Sequence, residues 1–168
     1  MRLLTFASAV TLIHVATYVG ATTAVAQNIM DANSIANGLY APTLVPRGIK
    51  HFEAAVSLNV LFAVGSADLT AAGRAQLDQL GVALKDPRGT GRHFRIEGHT
   101  DTTGDDQLNM RLSERRATTV VRYLVARYEI NRGQLVPVGM GKHGLAVPTP
   151  DQTPEPRNRR VVVINLDG

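Results

Sequence analysis

The sequence predicts a two-layer α+β domain whose elements follow one another as β-α-β-α-β-β, a mixed sheet carrying its helices on one face. Three observations lead there. Short runs rich in β-branched residues recur along residues 54–166. Longer segments with apolar residues three and four apart lie between the first three of these runs. Stretches rich in Gly and Pro separate the pieces. The 168-residue chain is 44% hydrophobic and 19% charged, which suits one domain with a real core.

The first strand lies within residues 54–62, where Val56, Leu58, Val60 and Phe62 alternate with Ser57 and Asn59. A turn over 63–70 brings in Thr70, a good N-cap for a helix with Leu77, Leu80 and Leu84 on one stripe, ending before Pro87. The loop "PRGTG" leads to a second strand, "HFRIE", with Phe94 and Ile96 on the same side. The second helix runs through "LSERRATTVVRYLVARY", where Ala117, Val120, Val121 and Leu124 make a core-facing stripe. A third strand falls at "QLVPVGM", and its Pro137 predicts an edge position or a bulge. A long loop with four prolines, residues 141–157, precedes the last strand, "NRRVVVINL". The unbroken run from Val161 to Ile164 predicts burial on both sides or a central place in the sheet.

Ahead of the domain, residues 1–26 have the pattern of a secretory signal peptide: Arg2, an apolar stretch, and Ala24-Val25-Ala26 before Gln27. Cleavage after Ala26 removes one cation and lowers the net charge from +4 to +3. The competing expectation is an uncleaved membrane anchor, since the stretch approaches the ~20 residues of a span. Residues 27–53 read as an arm and linker, with an amphipathic turn around Ile35 and Leu39 followed by Pro46 and Gly48. Residues 54–168 read as the domain.

Composition narrows the function. A net charge of +4 and a pI near 9.8 suit polyanions such as nucleic acid, anionic lipid or acidic wall polymer. No run of five basic residues and no Trp occurs, which argues against nucleic acid. The absence of cysteine excludes disulfides, thiolate metal sites, a cysteine nucleophile and an acyl anchor on Cys. The histidines lack metal-ligand spacing, so neither a metal nor another cofactor is expected.

Asp101 stands where a strand meets a turn, and an Asx turn or cap explains it without a ligand. Thr103 and Asp106 have the spacing of a weak capping box. Asn109 and Arg116 are seven apart, which on a helix turns them within ~20° of each other. Arg116 can serve as half of an ion pair or as a donor fork facing a cleft. If the helix runs unbroken from Asp105, Arg116 lies ~16 Å beyond its start. Meeting Asp101 then requires the segment 102–108 to fold back, or regular helix to begin nearer Asn109. His99, Asp101 and Ser113 supply the residue types of a hydrolase, but Ser113 is mid-helix with no nucleophile elbow. Arg159 and Arg160 open the last strand, and alternation sends them to opposite faces.

The stretches "IEGHTDTTG", "NMRLSERRATTVVRYL", "GMGKHGLAVPT" and "NRRVVV" occur in the order of OmpA-like domains, the peptidoglycan-binding modules of envelope proteins, and residues 54–166 resemble that family. The resemblance implies the same two-layer fold and a ligand, the peptide stem of peptidoglycan, held through its diaminopimelate. It implies that Asp101 accepts the ligand ammonium and Arg116 binds its carboxylate. Asn109 and Arg159 match further family positions, and the backbone around Thr100, Thr103, Gly65 and Ser66 would line the rest. A fixed carboxylate and a guanidinium fork suit the zwitterion at the end of a diaminopimelate side chain. The chain departs from the family in following Phe62 with Ala63 and Val64 rather than an acidic residue, and in placing "PEP" before "RNRR".

The expectation is therefore a non-catalytic peptidoglycan-binding protein, periplasmic or associated with the outer membrane. Outer-membrane or envelope proteins are candidate further partners. The alternatives are a membrane-anchored protein with the same domain and a scaffold of the same fold that binds no wall.

Overall fold

The computed structural model describes residues 29–40 and 53–167. The signal peptide and the linker around Pro46 and Gly48 lie outside the described residues. The elements are α1 (Ala32–Tyr40), β1 (Ala55–Leu58), α2 (Ala71–Leu84), β2 (Phe94–His99), α3 (Asp106–Tyr128), β3 (Leu135–Gly141) and β4 (Val161–Asn165). The expected β-α-β-α-β-β order holds, with α1 added in front.

The sheet order is β1-β4-β2-β3. β4 runs antiparallel to both β1 and β2, and β2 and β3 are parallel. This places the Val161–Ile164 run centrally and Pro137 on an edge strand, where a missing N–H is tolerated. One face of the sheet contributes Leu58, Phe94, Ile96, Val161 and Val163 to a core shared with Leu77, Leu80, Val120 and Leu124 of α2 and α3. On the other face Arg95 bonds Glu97 and Glu53, so alternation separates an apolar side from a polar one.

The turn expected around Ile35 and Leu39 is a nine-residue helix and part of the core. Asp31 caps it, accepting from the Ser34 N–H and hydroxyl. Ile35, Ala36 and Leu39 are buried. The buried Gln76 amide accepts from the Met30 N–H and donates to the Met30 carbonyl, both at 2.9 Å, and Asn165 donates to the Leu39 carbonyl.

Three local expectations change. β1 stops at Leu58, because the Val60 N–H turns back to the Leu58 carbonyl and the chain leaves the sheet. Val60 stays buried, and Phe62 makes only an isolated bridge to Leu69. The N-cap of α3 is Asp105, whose carboxylate accepts from the Gln107 and Leu108 N–H groups, so Thr103 and Asp106 form no capping box. β4 begins at Val161, after a 3-10 turn over Pro156–Asn158, so strand alternation does not govern Arg159 and Arg160.

α3 lies unusually close to the sheet. A Cβ on Gly98 would sit 2.3 Å from the Ser113 carbonyl oxygen, and one on Gly139 would sit 2.7 Å from the Glu114 nitrogen. Only glycine admits that approach, which brings Arg116 down beside the ends of the strands.

Candidate ligand-binding site

A cleft of about 470 Å³ opens where the turn after β2, one face of α3, the segment after β1 and the segment before β4 converge. Asp101, Arg116, Asn109, Arg159, Thr100, Thr103 and Gly65 all line it. Ser66 contributes through its carbonyl, described below. The eight residues singled out in the sequence therefore converge on one place. α3 is unbroken from Asp106, so it is the segment 102–105 that folds back and brings Asp101 to the cleft shared with Arg116.

The fold-back is held on several sides. The Thr102 hydroxyl donates to the Pro150 carbonyl at 2.7 Å, lies 3.0 Å from the Thr153 carbonyl and accepts from the Thr153 N–H. Gln152 bonds Gly104 in both directions through its side chain. The Asn109 amide donates to the Thr103 carbonyl at 2.7 Å. The proline-rich loop that supplies these partners is itself pinned by the buried Asn158, which both accepts from and donates to the Val147 backbone.

Asp101 is 4% exposed and fully engaged. One carboxylate oxygen accepts from the Thr103 N–H and hydroxyl, the Asx turn read from the sequence. The other accepts from Arg159 Nη1 at 2.6 Å. Burial pushes the carboxyl pKa up, but the Thr103 and Arg159 contacts outweigh it and hold the group below its ordinary value.

Arg116 is 7% exposed and differently placed. Its Nε donates to the Ser66 carbonyl at 2.9 Å, and its guanidinium lies 4.9 Å from the centre of the Phe62 ring. Among the described residues no carboxylate pairs with it, so the ion-pair explanation for Arg116 does not hold. Gly65, with φ of +63°, makes the turn that presents the Ser66 carbonyl. Burial and the nearby Arg159 charge lower the Arg116 pKa and outweigh the opposing pull of the Asp101 carboxylate, which marks a desolvated cation with no direct ion pair among the described residues.

Thr100 is buried in the cleft wall; its N–H donates to the Gly141 carbonyl, and its hydroxyl has no protein partner among the described residues. Sequence reasoning missed Leu112, Pro154, Pro156 and Arg160 as lining residues. Leu112 was accessible to it, lying three residues after Asn109 and four before Arg116 on the same helical face. The hydrolase reading fails on geometry. The Ser113 hydroxyl, wholly buried, donates to the Met110 carbonyl and accepts from the Gly141 N–H, while His99 Nδ1 contacts the His143 carbonyl. Burial and the Arg160 charge lower the His99 pKa.

The arrangement can hold a molecule with a carboxylate for Arg116 and a cationic group near Asp101. The signature of the OmpA family matches residues 61–160. The peptidoglycan-associated lipoprotein of Pseudomonas aeruginosa is 39% identical over 100 residues, covering 60% of this chain and 57% of the relative. Outer membrane protein A of Klebsiella pneumoniae is 38% identical over 93 residues, covering 55% and 26%. The chain thus matches little more than half of the first relative's length and a quarter of the second's. Among solved structures, the peptidoglycan-associated lipoprotein of Burkholderia pseudomallei superposes with a TM-score of 0.54 at 28% identity, covering 65% of this chain and 88% of that one.

Proposed function

The chain belongs to the OmpA family, and from that premise we propose that it binds peptidoglycan, without catalysing a reaction, through the diaminopimelate of the peptide stem. The observation that carries this reading is the buried Arg116 guanidinium, without an ion-pair partner among the described residues, in the same cleft as the Asp101 carboxylate. A buried cation without an anion is costly, and a ligand carboxylate relieves that cost. The same ligand's ammonium then meets Asp101, in competition or company with Arg159. The names of relatives from Pseudomonas and Burkholderia, each a peptidoglycan-associated lipoprotein, support the ligand class. The natural setting is the cell envelope, in the periplasm or beside the outer membrane.

In this reading Asp101 and Arg116 touch the ligand. Asn109 positions the Thr103 turn, Arg159 sets the direction of the Asp101 carboxylate, and the Thr100 hydroxyl offers a buried hydrogen-bonding group. Gly65 and Ser66 hold Arg116. Co-sedimentation with sacculi of the diaminopimelate type tests it. The unmodified protein should pellet, whereas folded Asp101→Ala and Arg116→Ala variants should stay in solution, each having lost on the order of 2–5 kcal/mol of contact energy. An unmodified protein that stays in solution defeats the proposal.

A further inference from the structure

The concave surface extends beyond the cleft. A hollow of about 240 Å³ adjoins it, the two sharing Asn59, Pro156 and Arg160, with Ser57 and Arg157 among the other residues of the smaller one. Four arginines line this combined surface: Arg116, Arg157, Arg159 and Arg160. Two are neutralised by short ion pairs, Arg159 by Asp101 at 2.6 Å and Arg157 by Glu155 at 2.8 Å. Among the described residues, Arg116 and Arg160 have no carboxylate within 4.0 Å.

Arg160 resembles Arg116 in how it is held. Its Nη2 donates to the Gly144 carbonyl at 2.6 Å, and its Nη1 reaches the Asn158 carbonyl at 3.5 Å. These contacts orient the fork without cancelling its charge. The carboxylate that acts on it from β2 is Glu97, which makes its close contacts to Arg95, shared with Glu53, and to His99, and none to Arg160. A zwitterion seated at Asp101 and Arg116 brings one positive and one negative charge, so it leaves Arg160 without an ion-pair partner among the described residues.

We infer that Arg160 receives a second carboxylate of the same ligand, seated in the smaller hollow, so that the site recognises a peptide carrying two separated carboxylates. The inference rests on the reading of the cleft as a peptide-stem site. It names the feature that distinguishes a stem peptide from free diaminopimelate: a further carboxylate at the neighbouring glutamyl residue. Neutralising that group by amidation removes the anion and leaves the rest of the peptide intact.

The test is calorimetric titration of the protein with two synthetic stem tripeptides containing diaminopimelate, one with the glutamyl α-carboxylate free and one with it amidated. The free form should bind about tenfold more tightly to the unmodified protein, and in Arg160→Gln the ratio should collapse towards one. Because the first comparison uses only the unmodified protein, loosening of the Gly144 turn in the variant cannot produce it. Arg160→Lys, which keeps the charge but not the fork, should restore part of the ratio. Equal binding of the two peptides overturns the second-carboxylate subsite and leaves the peptide-stem reading standing. Binding of neither peptide overturns both. A ratio that survives in Arg160→Gln removes Arg160 from the role.

Discussion

Asp101 and Arg116 are almost equally buried, yet they are held in opposite ways. Asp101 accepts from two groups of Thr103 and from Arg159, so its charge is satisfied before any ligand arrives. Arg116 rests on one backbone carbonyl and an aromatic face, and among the described residues it has no ion pair. The difference separates two tasks. The carboxylate belongs to the architecture of the turn as well as to the site. The guanidinium is placed by the fold and contributes little to it. On the proposed reading, importance for binding and importance for stability therefore diverge between the two.

The largest expected effect disturbs both sides at once. Gly98→Ala drives a methyl group into the Ser113 carbonyl and lifts α3 from β2, so unfolding by urea should show a loss of about 3 kcal/mol. Unchanged stability would mean that the close approach of α3 is soft and does not fix Arg116. Asp101→Ala comes next. It unties the Thr103 turn and leaves Arg159 without its anion, which should cost about 1–3 kcal/mol in the same measurement. Arg116→Ala should cost under about 1 kcal/mol, because the lost Ser66 and Phe62 contacts are offset by removal of a desolvated cation. Equal destabilisation by these two variants would erase the contrast between them.

Acid should distinguish the sides as well. The native Asp101 pKa lies below the ordinary 3.8, so the unfolded chain takes up this proton first as pH falls. Its contribution is complete above the ordinary value and is lost as pH drops through the native one. Asp101→Asn should therefore show a shallower loss of stability on acidification than the unmodified protein. His99 acts at milder pH. Its native pKa lies below 6.5, so its contribution is complete above that value and declines as pH falls below it. Replacing His99 with Gln should flatten the stability profile between pH 7 and 5. The smallest effect lies far from the cleft. Glu129 ends α3 at φ of 53°, and Glu129→Gly should raise stability by about 0.5–1 kcal/mol in thermal unfolding.

The sheet and the long helices were legible because their periodicity is local. Phe94 and Ile96 on one strand, and Val120 and Leu124 on one helix, reveal their buried side without any partner being known. Pro137 on the edge and the central Val161–Ile164 run were legible for the same reason. What the sequence concealed depends on long-range pairing. Nothing near Asp101 announces that Arg159, 58 residues away, is its counter-ion. Nothing near Met30 shows that the Gln76 amide awaits it. The strength of α1 was concealed too, because its three buried side chains gain their meaning from a core built by distant segments. The early end of β1 was hidden as well: the Val60 N–H turns back to the Leu58 carbonyl, and beyond it the Leu61 carbonyl accepts from Thr70, nine residues on, at the N-cap of α2.

The Gln76 clamp on Met30 has a mechanical consequence. Among the described residues, tension applied to the chain ahead of residue 30 reaches the domain first through that pair of hydrogen bonds and the Ala32 contact to Gln79. Polar contacts of this kind are stiff and short-ranged, whereas the apolar face of α1 yields gradually. The clamp is thus the first point among the described residues to resist a pull.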